Sequence, residues 1–216
     1  MAKFNTVLFD YDGTLMDTNN LILQSWQHTL RTVEGKEKPE EEIFRTFGEP
    51  LYITMERFLP QIPVEESVGI YRSYHYDHFS ELIEVFPGIL ELLKELKARG
   101  YKTGIVTSRL RYTTDLGLKK YDMEQYFDVV ITVEDTDKGK PDPEPVLAAI
   151  ERLGSKPEEA IMVGDSVFDI LCAKGAEVKA VLVNWAVAIG GEDNGGDSVP
   201  DYTIEKPEDL LEILES

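Results

Sequence analysis

The chain alternates short apolar runs with longer stretches of helical periodicity. Thr6 to Phe9, Thr103 to Thr107, Val129 to Thr132, Ala160 to Val163 and Ala180 to Val183 are largely apolar runs of strand length. Continuous rather than alternating apolar character is the pattern of strands covered on both faces. Between them the period changes. Ile89, Leu92, Leu93 and Leu96 predict one amphipathic helix, ended by Gly100. Val146, Leu147, Ile150 and Leu153 predict another, ended by Gly154, and Leu210, Leu211 and Leu214 predict a C-terminal helix entered through Pro207 and Glu208. Strands alternating with helices predict an α/β fold with a doubly wound, mostly parallel sheet.

One region breaks the alternation. After the first strand comes a stretch that reads as helices alone. Ile22, Trp26, Leu30 and Val33 share a helical face; Ile43, Phe44 and Phe47 follow, then Met55, Phe58 and Leu59, then Val68, Tyr71, Tyr74 and Phe79. Pro39, Pro60 and Pro63 punctuate these segments. Residues 17–83 are therefore expected to be a helical insert over the carboxyl end of the first strand. Residues 190–197, rich in glycine and acid, predict a loop.

Composition narrows the partners. The 216 residues suffice for a substantial buried core, and 42% hydrophobic with 29% charged residues is a globular balance. Acidic residues number 41 against 22 basic, a net charge of -19. That charge disfavours nucleic acid and anionic membranes as partners, but not a small anion held by a metal or local lysines and arginines. The one cysteine, Cys172, excludes an intrachain disulfide and is expected to be a packed thiol. The start of the chain lacks the apolar stretch of a signal peptide and no run has the length of a membrane span, so a cytoplasmic protein is expected.

Chemistry enters at the end of the first strand, in Asp10-Tyr11-Asp12-Gly13-Thr14. Two carboxylates one residue apart at a strand's carboxyl end can project into the crevice where open α/β sheets bind ligands. They would repel each other unless a divalent cation lay between them, and Mg²⁺ prefers such oxygen ligands. This pattern points to phosphate chemistry with one Asp as nucleophile and the other as acid/base. A plain turn is the alternative, because Asp and Gly both favour turns.

Three further strand ends carry polar groups. Thr107 and Ser108 follow the second strand, where hydroxyls and backbone amides can hold phosphate oxygens or cap the next helix. Lys138-Gly139-Lys140-Pro141-Asp142-Pro143 follows the third, and its prolines can fix the direction of Lys140, a compact charge suited to a phosphoryl group; a solvated loop lysine is the alternative. Gly164-Asp165 ends the fourth, with Asp169 one helical turn further on. Asp165 suits a third carboxylate for Mg²⁺ or a helix N-cap, and Asp169 suits a water-mediated ligand or a group that orients the lysine.

Together, Asp10-x-Asp12, Thr107, Lys140 and Gly164-Asp165-x-x-x-Asp169, in this order on successive strand ends, resemble the four motifs of the haloacid dehalogenase-like hydrolase family. The resemblance spans nearly the whole chain. It implies a Rossmann-like doubly wound parallel sheet core, residues 1–16 and 84–216, with an inserted helical cap, residues 17–83. It implies Mg²⁺-dependent phosphoryl transfer through an aspartyl-phosphate, with Asp10 as nucleophile and metal ligand. Asp12 would protonate the leaving group, then activate water, and give a backbone carbonyl to the metal. Thr107 and Ser108 would bind the phosphoryl group and Lys140 would stabilise it. Asp165 would complete the metal site, with Asp169 in support. The presence of Asp12 favours phosphate esters or anhydrides over halide displacement. Met16-Asp17-Thr18-Asn19 and Phe47-Gly48-Glu49-Pro50-Leu51 look most like the phosphoglycolate phosphatase and bacterial inorganic pyrophosphatase branch. A small phosphorylated metabolite or pyrophosphate is the implied substrate. A sugar-phosphate mutase on the same framework, or an idle phosphate-binding module, are the rival readings.

Glu49, Arg45 and Arg109 are candidates for substrate specificity, the arginines because a guanidinium matches carboxylate and phosphate oxygens. His75 and His78, three apart on an expected helix, read better as ordinary helix residues than as metal ligands, as does His28. Trp185 suits either packing or the mouth of the site. Ala176-Glu177 departs from the Ala-Gly usual in the family at this point, which bears on how a helix ends.

Overall fold

The structure, a computed structural model, describes residues 4–186 and 198–215. The chain opens with β1 (Thr6–Phe9) and β2 (Met16–Asp17), then four helices: α1 (Asn19–Glu34), α2 (Glu40–Phe44), α3 (Leu51–Phe58) and α4 (Val64–Leu82). It continues through β3 (Glu84–Val85), α5 (Ile89–Ala98), β4 (Lys102–Val106), α6 (Arg111–Lys120), β5 (Val129–Ile131), α7 (Glu144–Leu153), β6 (Ala160–Gly164), α8 (Val167–Gly175), β7 (Lys179–Val183), β8 (Tyr202–Ile204) and α9 (Asp209–Glu215). The main sheet has the order β5-β4-β1-β6-β7-β8, and each neighbouring pair is parallel.

The continuous apolar runs are explained by two cores, one on each face of this sheet. In β1, Val7 and Phe9 enter one cluster and Leu8 the other. β6 divides in the same way, Ile161 and Val163 to one side and Met162 to the other. Leu92, Leu93 and Leu96 of α5, with Leu210 and Leu214 of α9, cover the first face. Val146, Ala149 and Ile150 of α7, with Ile170 and Ala173 of α8, cover the second. Cys172 is buried in that second cluster, and its Sγ lies 2.9 Å from the Asp142 carbonyl. It is thus the packed thiol expected, and burial pushes it up to about 12.

The helices before β3 build a third core of their own from Trp26, Leu30, Ile43, Phe47, Met55, Leu59, Val68 and Tyr71. Pro39, Pro50 and Pro63 stand at the N-caps of α2, α3 and α4, where a missing N–H costs nothing. The chain leaves for this helical segment through β2 and returns through β3. The two strands pair antiparallel, Met16 with Val85 and Asp17 with Glu84, so exit and return are tied together.

Three short strands were not expected. β8 is a three-residue edge strand with Thr203 at its centre, and β2 and β3 have two residues each. None is long enough to show a period. Trp185 packs: its ring lies against Phe86, its Nε1 donates to the Thr14 carbonyl at 3.2 Å, and it is absent from the cavity wall described below. The loop expected at residues 190–197 lies outside the described residues. Among those described, no helix is long and apolar enough to cross a membrane.

Glu177 stands in a backbone conformation that suits the glycine expected there from the resemblance. Its φ is 59°, in the left-handed region that favours glycine. The end of α8 turns there, with the Glu177 amide donating to the Lys174 carbonyl and the Val178 amide to the Ala173 carbonyl. Glu177→Gly is therefore expected to stabilise the protein by about 1 kcal/mol, less the extra freedom glycine gives the unfolded chain. Thermal melts should show a rise of about 2–4 °C with unchanged turnover. A lower melting temperature would mean that the exposed glutamate side chain outweighs its backbone.

Candidate active site

The chain runs from β1 to β4 and β5 on one side of the sheet, then crosses to β6, β7 and β8 on the other. The carboxyl ends of β4, β1 and β6 thus sit side by side where the winding reverses, the usual ligand crevice of such sheets. A cavity of about 430 Å³ lies there, walled on one side by these strand ends and on the other by residues of α1, α3 and α4. Asp10, Asp12, Thr107, Ser108, Lys140 and Asp165 all line it. Four sequence segments far apart in the chain are therefore brought to one wall.

Asp10 follows β1, anchored by its amide to the Val163 carbonyl at 2.8 Å. Lys140 is buried between two carboxylates, its Nζ 2.7 Å from Asp10 Oδ1 and 2.6 Å from Asp169 Oδ1. Burial opposes the lysine's charge, but the two carboxylates outweigh it and hold its pKa above the ordinary lysine range. Asp169 has no exposure at all. Its Oδ2 accepts from the Ser166 hydroxyl at 2.6 Å and the Ser166 amide at 3.2 Å, closing a capping box that starts α8. Of the two roles open to Asp169, orienting Lys140 is the one its contacts serve. The cap of α8 is Ser166, not Asp165, which leaves the Asp165 carboxylate for the cavity.

Carboxylate oxygens of Asp10, Asp165 and Asp169 lie within 4.8 Å of one another. Burial pushes Asp10 up to about 7 against the pull of Lys140, with the charges of Asp169 and Asp12 adding to the rise. Asp165 is held well above the usual carboxylate range by burial and by the charges of Asp169 and Asp10. Burial and mutual repulsion thus outweigh the one lysine at these two carboxylates, and a hard, oxygen-preferring cation would supply the missing charge. Gly13 makes the approach possible. Its φ is 71°, and a Cβ there would overlap the Asp165 carboxylate. The donor set therefore suits a metal ion of the magnesium type.

Asp12 faces the insert. Its Oδ1 accepts from the Thr18 hydroxyl at 2.6 Å and from Arg109 Nη1 at 2.8 Å. Its Oδ2 has no hydrogen bond within the described residues. The backbone bonds of the turn, Met16 amide to Tyr11 carbonyl and Gly13 amide to Met16 carbonyl, leave the Asp12 carbonyl out. Arg109 is buried against the faces of Tyr11 and Phe79, and its second arm reaches His75 Nε2 of α4 at 2.9 Å. Since a guanidinium only donates, that ring nitrogen accepts, and the ring proton sits on Nδ1 facing Ser25 Oγ at 3.3 Å. Burial and the Arg109 charge push His75 down to about 2, so it stays neutral. His75 and Thr18 thus join the insert to Asp12, a role that sequence reading did not find. The only available signal was that Tyr71, His75 and Phe79 share one helical face.

Thr107 is buried, and its Oγ1 accepts from the Arg109 amide at 3.2 Å; Ser108 is exposed at the cavity. Neither caps α6, whose N-cap is Leu110. Glu49 lines the cavity from the insert, but its carboxylate is already taken by Arg57, at 2.7 and 3.2 Å, and by the Thr54 hydroxyl at 2.7 Å. Next to it, Gly48 (φ 85°) packs so closely on the start of α8 that a Cβ would lie 3.0 Å from Ser166 Cβ. Arg45 is exposed at the end of α2 and is absent from the cavity wall.

A buried carboxylate–lysine pair with further carboxylates, at the switch point of a parallel sheet, fits a hydrolase of phosphate-handling type. The sequence profile of haloacid dehalogenase-like hydrolases matches residues 7–183, and the chain belongs to that family. Among its relatives, the pyrophosphatase PpaX of Bacillus cereus is 42% identical over 98% of this chain and 97% of its own. The pyrophosphatase PpaX of Bacillus mycoides is likewise 42% identical with the same coverage. Among solved structures, a haloacid dehalogenase-like family hydrolase from Streptococcus pneumoniae superposes with a TM-score of 0.85 at 27% identity over 99% of both chains. A candidate phosphoglycolate phosphatase from Lactobacillus plantarum gives 0.84 at 30% identity over 98% of this chain and 99% of that one.

Proposed function

We propose that the chain is a Mg²⁺-dependent phosphatase for pyrophosphate or a small phosphorylated metabolite, acting through an aspartyl-phosphate on Asp10. The observation that carries this reading is the buried Asp10–Lys140–Asp169 chain of charges beside Asp165 and Asp12. Thr107, Ser108 and Lys140 hold the oxygens of the transferred phosphoryl group. An Asp10 oxygen attacks phosphorus, the bond to the leaving oxygen breaks, and Asp12 Oδ2 delivers a proton to that oxygen. Asp12 then takes a proton from water, whose oxygen attacks the same phosphorus and frees Asp10. Lys140, held by Asp169, stays aimed at the developing charge throughout. Asp10, Asp165 and the Asp12 carbonyl would hold Mg²⁺, which neutralises the carboxylates and the phosphoryl oxygens.

Residues 1–16 and 84–216 serve in this reading as the catalytic core, and residues 17–83 as a cap that excludes bulk water. The names of the Bacillus relatives favour pyrophosphate. The test is phosphate release from pyrophosphate, phosphoglycolate, hexose phosphates, phosphopeptides and phosphorylated oligonucleotides. The small, highly charged compounds are expected to lead in kcat/KM. A preference for either macromolecule would overturn the closed cap, and no turnover of any compound would overturn the activity.

Metal removal gives a separate expectation. After chelation, phosphate release should fall to background and return with added Mg²⁺. Ca²⁺ should restore little, because its larger and looser shell accepts both oxygens of Asp10 and removes the attacking one. Full activity in the chelated protein would defeat the metal assignment.

A further inference from the structure

Among the described residues, three cationic side chains line the cavity: Lys140, Arg109 and Arg72. Two are committed. Lys140 is balanced by Asp10 and Asp169, and Arg109 by Asp12, with its second arm on His75. Arg72 of α4 differs. It is half-buried and, among the described residues, meets no carboxylate; its contact is with the face of Tyr52, its Cζ 5.7 Å from the ring centroid. In a chain with 41 acidic residues against 22 basic ones, a partly desolvated guanidinium without a carboxylate is out of pattern. The tyrosine face holds the cation while leaving its N–H donors unused.

The direction of the chemistry says what those donors face. In an in-line phosphoryl transfer the leaving group lies opposite the attacking atom. The attacking atom belongs to Asp10 at the tip of β1, so the leaving group extends away from the sheet and into the half of the cavity walled by the insert. Arg72 stands on that half. We infer that Arg72 is the seat for a second anionic group on the substrate's leaving portion, the outer phosphate of pyrophosphate or the carboxylate of a short phosphorylated acid. This inference rests on the phosphatase reading. It moves the specificity role from Arg45, which is exposed and off the cavity wall, and from Arg109, whose charge is already matched.

The test compares the parent with Arg72→Gln and Arg72→Lys on pyrophosphate, phosphoglycolate and phenyl phosphate, whose leaving group carries no second charge. Arg72→Gln should lose about 10- to 100-fold in kcat/KM on the first two, chiefly through KM, and no more than about twofold on phenyl phosphate. Arg72→Lys should recover part of the loss, since it keeps the charge and loses the planar fork. Equal losses on all three substrates, or no loss on pyrophosphate, would overturn the inference. Calorimetric binding of imidodiphosphate, with orthophosphate as control, separates this result from the activity. Arg72→Gln should weaken the first and spare the second even if the parent hydrolyses nothing. Equal weakening, no weakening, or no binding by the parent would overturn the inference.

Discussion

Asp10→Asn is expected to abolish phosphate release, a loss of at least about 10⁴-fold, in a protein that remains folded. The amide is nearly isosteric with the carboxylate but is not a nucleophile toward phosphorus, so no aspartyl-phosphate forms. Folding should survive because Lys140 keeps its 2.6 Å partner in Asp169, and Asp169 keeps its bonds to Ser166. The substitution removes a buried negative charge that burial, Asp169 and Asp12 oppose, and with it a 2.7 Å ion pair to Lys140. The two effects offset, so the melting temperature of the metal-free variant should stay close to that of the parent. Phosphate release and a thermal melt on one preparation check both halves. A folded variant turning over at the parental rate would remove Asp10 from the chemistry.

The strand ends were legible because burial on both faces writes a strand as an unbroken apolar run. The polar residue that stops each run is then conspicuous. Asp10 after Phe9, Thr107 after Val106 and Asp165 after Gly164 all stand at such stops. The family resemblance added the order of the motifs, and with it the expectation that residues far apart in the chain meet. Contacts between insert and sheet were a different matter. Helical periodicity shows which side of α4 turns inward, but not what waits on the other side. Thus His75 read as an ordinary helix residue, whereas it is buried and its ring holds Arg109. Arg45 looked like an anion site because of its chemistry, and only tertiary placement shows that it is exposed and off the cavity wall although its neighbours Thr46 and Phe47 line it. Gly13 is similar. Its place in a turn was readable, but not that the Asp165 carboxylate lies where its side chain would be.

Asp12→Asn should slow turnover by about 10²- to 10⁴-fold, the range of general acid–base catalysis, and by an amount that depends on the leaving group. Thr18 and Arg109 both hold Oδ1, which fixes the plane of the carboxyl and leaves Oδ2 as its uncommitted oxygen. An asparagine keeps the shape and can still accept at its oxygen, so the cap contact from Thr18 has a partner, but no proton can be passed. A hexose phosphate, whose alkoxide leaves poorly without a proton, should show the full loss in the first step. Phenyl phosphate, with a better leaving group, should still transfer its phosphoryl group to Asp10. The variant then stalls, because water attack on the aspartyl-phosphate needs the same missing base. Rapid-quench kinetics should accordingly show a burst of phenol close to one equivalent per enzyme, followed by a slow steady rate. The parent should show a much smaller burst if it hydrolyses the intermediate quickly. Thr18→Val serves as the control, since it removes a bond to Oδ1 but leaves the carboxylic acid in place, and it should slow both steps modestly without trapping phosphate on the enzyme. An unchanged rate on hexose phosphate in Asp12→Asn would assign Asp12 to holding Arg109 and the insert rather than to moving protons.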